Sequence, residues 1–196
     1  MENFNTIDLR SDTVTKPSKG MRKAMYNAEV GDNFYGEDKI TRELEEHCAW
    51  YFNKEAAIFL LTGTMANQVA LRTYVHPGNE VILDASYHIN YYEYSATSSL
   101  CGAALNLLNT QDGIINESDL LQAIKGRHRS NLTGIPALLC LENSINYHSG
   151  KIFPIDTFKQ VSSLAKKHKI PVYLDGARLL NACVALNKEP KEYSAH

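Results

Sequence analysis

The sequence predicts an α/β fold, a three-layer α/β/α sandwich built on a mostly parallel sheet. Three features carry this: short, near-continuous apolar runs of strand length, apolar stripes at helical spacing between them, and polar turns just after the runs. Strands buried on both faces need no in-out alternation, and parallel strands need a crossover helix between them.

Residues 1–20 read as a polar, irregular arm that ends at Lys16-Pro17-Ser18, where the proline biases its predecessor away from helix. A helix is expected from near Ser18, carrying Met21 and Met25. From Thr41, the spacing of Leu44, Cys48, Tyr51 and Phe52 predicts a second helix, with Glu43, Glu45 and Glu46 near its positive end. Residues 56–61 predict a strand, Thr62-Gly63-Thr64 a tight turn, and Met65, Val69 and Ala70 the helix after it. Strands follow at residues 81–83 and 104–108, with a possible helix at residues 91–100 between them. Leu120, Leu121 and Ile124 mark a helix over residues 117–124, and residues 137–141 a strand. The stripe Ile155, Phe158, Val161, Leu164 and Ala165 is helical, Pro171 closes its connection, and residues 172–174 form the next strand. Without a repeat or a linker-like stretch, residues 21–196 are expected to be one domain.

Composition narrows the function classes. With 196 residues, 44% of them hydrophobic and 21% charged, the chain can bury a real core. A net charge of -2 with interleaved signs argues against a nucleic-acid surface or a polybasic membrane patch and favours a small partner. Neither a leader pattern nor an apolar run approaching the ~18 residues of a spanning helix is present, so a cytoplasmic protein is expected, with no membrane partner. Cys48, Cys101, Cys140 and Cys183 are widely spaced, which favours buried thiols over disulfides and offers no metal site.

In an open α/β sheet, ligands bind beyond the carboxyl ends of the strands, and the unusual residues collect there: Thr62-Gly63-Thr64, then Asp84 with His88, Glu142-Asn143, and Asp175-Gly176-Ala177-Arg178. The Thr-Gly-Thr turn is either an anion cradle at a helix N-terminus or an ordinary cap. Asp175 and Arg178 are either a structural ion pair or a pair that meets a cationic heterocycle nitrogen and a carboxylate. His88 is either a packing residue or one that stacks on an aromatic cofactor and shuttles a proton. His47, His76, His128, His148, His168 and His196 read as packing or surface residues.

Taken in order, Asp8-Leu9-Arg10-Ser11-Asp12-Thr13-Val14-Thr15, Val30-Gly31-Asp32 with Tyr35-Gly36-Glu37-Asp38, Thr62-Gly63-Thr64-Met65-Ala66-Asn67-Gln68, Leu141-Glu142-Asn143 and Leu174-Asp175-Gly176-Ala177-Arg178 resemble the signature of L-threonine aldolases, in the β-eliminating lyase group. The resemblance implies the large domain of a pyridoxal 5'-phosphate (PLP) dependent, aspartate-aminotransferase-like fold. It also implies a small amino-acid substrate and a homo-oligomer, dimer or tetramer. Such enzymes cleave L-threonine or L-allo-threonine to glycine and acetaldehyde. By the same resemblance, Gly63 and Thr64 hold the cofactor phosphate, His88 lies over its ring, Asp175 meets its ring nitrogen, Arg178 serves the cofactor and the substrate carboxylate, and Ser11 reaches that carboxylate. Alternatives are another PLP-dependent β-eliminating lyase or a catalytically silent domain.

The pattern departs from the family in two places. Ile145 stands where family enzymes commonly carry a histidine near the substrate hydroxyl, and His148 is too displaced to substitute for it. The family's cofactor lysine falls beyond His196, since Lys188 and Lys191 come too early and lack its Ser-Lys-Gly context. The chain is thus expected to be an amino-terminal portion, short of the small carboxyl-terminal domain, inactive alone, with a sheet edge and apolar faces uncovered.

Overall fold

The structure, a computed structural model, describes residues 7–125 and 134–196; the first six residues of the arm and His128 lie outside the described residues. Ser18 Oγ accepts from the Met21 N–H and starts α1 (Lys19–Asn27), and Asp38 accepts from the Thr41 N–H and starts α2 (Lys39–Tyr51). Each cap satisfies an N–H that the first helical turn leaves without a partner. Met21, Met25 and Leu44 remain exposed, as do Val30, Phe34 and Tyr35 between the helices.

Residues 56–61 do not form the strand that their apolar run predicts. A strand exists only by pairing, and no described strand lies alongside this run. The Phe59 N–H donates instead to Glu45 Oε1 at 2.7 Å, while Ile58 and Leu61 stay exposed.

The rest alternates as expected: α3 (Gly63–Tyr74), β1 (Asn79–Asp84), α4 (His88–Tyr91), α5 (Ala96–Cys101), β2 (Ala104–Leu108), α6 (Glu117–Lys125), β3 (Ile135–Glu142), α7 (Ile155–Lys167), β4 (Val172–Asp175), α8 (Leu179–Leu186) and α9 (Pro190–Ser194). The expected helix at residues 91–100 is two short ones, because Tyr94 and Ser95 take positive φ of 50° and 58° and break the helical path. Among the described residues no helix is long and apolar enough to cross a membrane.

The strands form one parallel sheet in the order β2-β1-β3-β4. The central strands are buried along their length: β1 from Glu80 to Asp84 and β3 from Leu138 to Glu142. The outer strands β2 and β4 are partly exposed. The chain steps from β1 to β2 in one direction and from β2 through β3 to β4 in the other. Right-handed crossovers therefore put α4 and α5 on one face and α6 and α7 on the opposite face. Packing agrees, since α3 lies with α5 and α6 lies with α7. In α7 the predicted stripe is inward, with Phe158, Val161, Leu164 and Ala165 buried, each large member contributing about 1.5–3 kcal/mol. Tyr193 of α9 closes this layer, its hydroxyl donating to the Phe153 carbonyl at 2.7 Å.

A cavity of about 510 Å³ lies beside the outer edge of β4, lined by Cys48, Phe52, Ala57, Tyr173 and Tyr193 among others.

Candidate active site

The strand order reverses between β1 and β3, and at such a point the loops leaving the two strands diverge and open a crevice. β3 and β4 run in register, with Glu142 opposite Asp175, so two carboxylates end neighbouring strands. His88 follows β1, and α3 begins at the rim. Together they enclose a cavity of about 240 Å³ whose lining includes Gly63, Thr64, His88, Asp175 and Arg178. The structure thus brings together all of the site residues expected from the sequence except Ser11.

Thr62 caps α3, its hydroxyl accepting from the Met65 N–H at 3.1 Å. Gly63 and Thr64 form the first turn, and no atom lies within 4 Å of where a Gly63 side chain would start. The turn is therefore a cap and still presents the positive end of a twelve-residue helix to the cavity. The cap and cradle readings are compatible, since the capping bond uses only the third N–H of the helix.

The inward face of α3 is unusual because Asn67 and Gln68 are buried there. Asn67 Nδ2 donates to Glu93 Oε1 at 2.8 Å and to Asp175 Oδ2 at 3.2 Å, and Asn67 Oδ1 accepts from the Tyr173 hydroxyl at 2.7 Å. Burial pushes the Tyr173 phenol well up, with Asp175 adding to the shift, so the phenol stays protonated and can donate. Asp175 Oδ1 accepts from the Ala177 N–H at 3.2 Å. The donors to this buried carboxylate among the described contacts are thus neutral. A buried carboxylate facing a cavity with only neutral donors is suited to a cationic ligand atom.

His88 Nδ1 meets Glu93 Oε1 at 3.0 Å, and its ring lies 5.4 Å from that of Tyr92. Glu142 accepts from the His88 N–H at 2.6 Å and the Asn146 N–H at 2.8 Å, which fixes the start of α4. Burial raises the Glu142 carboxyl above the usual range, those two N–H bonds pull it back, and the nearby Asp175 raises it further. Asp84 does not face the cavity, because its oxygens are taken by Ser86 and Thr110.

Arg178 is bidentate to Asp12, with Nε to Oδ2 at 2.6 Å and a terminal nitrogen to Oδ1 at 2.8 Å. The ion pair tethers the arm to the site, and the guanidinium bond holds the Asp12 carboxyl below its usual range. Thr13 lines the cavity, whereas Ser11 Oγ is engaged with Thr13 and caps the arm's short turn.

Ile145 is fully buried, pairs with Lys151 by a backbone bridge and packs toward Gly113; it is Ser144 that lines the cavity. His148 also lies toward Gly113, beside the Tyr147 ring. His47 stacks on Tyr51, His168 ends α7, and His196 lies at the β4 cavity. None of these histidines lines the site, nor does any lysine among the described residues; Lys188 and Lys191 pair with Glu192 and Glu189.

Sequence reasoning assigned no role to Asp12, Asn67, Glu93 or Glu142. Asn67 and Glu142 stand inside conspicuous motifs, a signal that could have found them. Glu93 carries no local signal, and its partners lie up to 26 residues away.

Residues 8–196 match the family model for β-eliminating lyases. An uncharacterised Caenorhabditis elegans protein is 42% identical over 93% of this chain and 44% of its own length. A probable low-specificity L-threonine aldolase of Arabidopsis thaliana is 40% identical, over 93% of this chain and 52% of its own. The structure of a Leishmania major threonine aldolase shares the fold, with a TM-score of 0.75 and 22% identity over 89% of this chain and 50% of that one. The chain spans about half the length of the curated relatives it matches. A family match over nearly the whole chain, on a fold and a strand-end site of the kind the sequence predicts, shows that the chain belongs to the β-eliminating lyase family.

Proposed function

We propose that this chain contributes the amino-terminal side of the active site of a PLP-dependent carbon-carbon lyase that cleaves L-threonine or L-allo-threonine to glycine and acetaldehyde. The observation that carries the reading is Asp175: a buried carboxylate with neutral donors, turned into a cavity shared with a helix N-terminus and a histidine. These residues fit PLP. The start of α3 at Gly63 and Thr64 suits a phosphate, and Asp175 suits a protonated pyridine nitrogen. Bound there, PLP supplies an electron sink for the pair released when the Cα–Cβ bond of the substrate breaks.

Residues of this chain take four parts beside it. Asp175 keeps a proton on the ring nitrogen by charge, and Asn67 and the Ala177 N–H hold that carboxylate in place. His88 is the imidazole at the cavity, and its Nε2 takes the β-hydroxyl proton of the substrate. Ile145 has no basic atom, and His88 is the one imidazole among the described residues that line the cavity. Arg178 orients the substrate carboxylate once Asp12 gives way, since Asp12 fills its fork. The exposed Met21, Met25, Val30, Phe34 and Tyr35 support assembly into a homo-oligomer, because apolar surface of this kind is usually covered by a partner.

The test is to purify the protein from its source cells and supply PLP with L-threonine or L-allo-threonine. Stoichiometric glycine and acetaldehyde are expected. Formation of 2-oxobutanoate and ammonia would instead identify a different β-elimination, and turnover of neither substrate would leave the lyase reading without support.

A further inference from the structure

We propose that Glu93 is a positioning residue: its buried carboxylate holds His88 with the proton on Nδ1, leaving Nε2 as an acceptor, and links this choice to Asp175 through Asn67.

Glu93 lies in the break between α4 and α5. The positive φ of Tyr94 and Ser95 turns the chain there, so that Tyr94 is wholly exposed while the Glu93 side chain is wholly buried. A buried carboxylate is costly unless donors surround it. Glu93 has three among its described contacts: Asn67 Nδ2 at 2.8 Å, Gln68 Nε2 at 2.7 Å and His88 Nδ1 at 3.0 Å.

The donor assignment follows from chemistry. The Tyr173 phenol donates to Asn67 Oδ1, which turns the Asn67 amide nitrogen toward the two carboxylates. The Cys101 thiol lies against Gln68 Oε1, which likewise turns the Gln68 nitrogen toward Glu93. An ionised carboxylate only accepts, so His88 Nδ1 must donate to it. In a neutral imidazole one nitrogen carries the proton and the other a lone pair, so Nε2 is left as the acceptor. This is how a buried acid fixes a catalytic histidine in other enzymes, by tautomer and orientation rather than by taking the proton. Asn67 spans Glu93 and Asp175, so the group that orients His88 and the group expected to meet the cofactor nitrogen share one amide.

The use of Nε2 as a base rests on the lyase reading; the tautomer itself does not. The test is nitrogen-15 NMR of the protein labelled at histidine, recorded above the pH range in which imidazole is protonated. The His88 resonances are assigned by their loss in H88Q. Wild type is expected to show Nδ1 protonated and Nε2 bare. In E93L no acceptor faces Nδ1, so the proton is expected to shift towards Nε2, and in the lyase assay kcat is expected to fall on the order of 10²-fold with little change in KM. A wild-type spectrum with the proton on Nε2 overturns the proposal, even where E93L does not fold. The same tautomer in wild type and folded E93L also overturns it. A protein that shows the expected tautomers but does not cleave threonine would retire the lyase reading alone.

Discussion

Replacing Asn67 with leucine keeps the side-chain shape and removes both amide functions. Asn67 Nδ2 serves two buried carboxylates, Glu93 at 2.8 Å and Asp175 at 3.2 Å, and Oδ1 takes the Tyr173 hydroxyl at 2.7 Å. A hydrogen bond to a charged group contributes about 1.5–3 kcal/mol, and a buried polar group left without its partner adds its own desolvation cost. The bond to Glu93 is short and fully buried, while that to Asp175 is longer and sits at the cavity wall, so the second counts at the low end. The sum for N67L is about 3–5 kcal/mol. For a domain of this size, 1 kcal/mol corresponds to about 2–4 °C in Tm, so a fall of about 10 °C is expected. Urea and thermal unfolding followed by circular dichroism measure both quantities. N67D, which inserts a third carboxylate between the two, is expected to be at least as unstable near neutral pH. A cost for N67L below about 1 kcal/mol, the size of an ordinary surface substitution, would refute the idea that Asn67 bridges two buried charges.

Three further outcomes are expected. The Asp12–Arg178 pair stabilises the arm by no more than about 1 kcal/mol, because Asp12 is more than half exposed and solvent screens it. Its guanidinium partner lowers the Asp12 carboxyl, so the contribution is complete above the ordinary value of 3.8 and is lost as pH falls through the lowered one. The stability difference between wild type and D12N should therefore close in acid, as read from urea midpoints against pH. Y193F leaves the buried Phe153 carbonyl without its donor and should cost about 1–2 kcal/mol in the same unfolding assay. G113A should cost about 1–3 kcal/mol, since φ there is +79° and the new Cβ would lie 2.9 Å from Ile145 Cγ2.

Much of the fold was legible because β1, β3 and α7 state their burial locally: continuous apolar residues for the strands, and a stripe at 3.6-residue spacing for the helix. Residues 56–61 carry the same apolar signal and are not a strand, because pairing depends on a neighbour that local sequence does not specify. The helix at residues 91–100 was misjudged because two consecutive positive-φ residues, Tyr94 and Ser95, give no glycine signal. At the site, the ends of β1, β3 and β4 could be located in advance, and with them His88 and Asp175. The connections between them could not: Asn67 reaches Asp175 across 108 positions and Asp12 reaches Arg178 across 166. Nor does Tyr92-Glu93-Tyr94 disclose which of its side chains turns inward.

The central claim is that the small cavity at the strand ends, rather than the larger one beside β4, takes the cofactor. The most direct measurement is a crystal structure of the protein with PLP. The phosphate is expected at the N–H groups of Gly63 and Thr64, the pyridine nitrogen against Asp175, and His88 beside the ring. Cofactor in the cavity lined by Phe52, Tyr173 and Tyr193, or ring density that leaves Asp175 without contact, would contradict it.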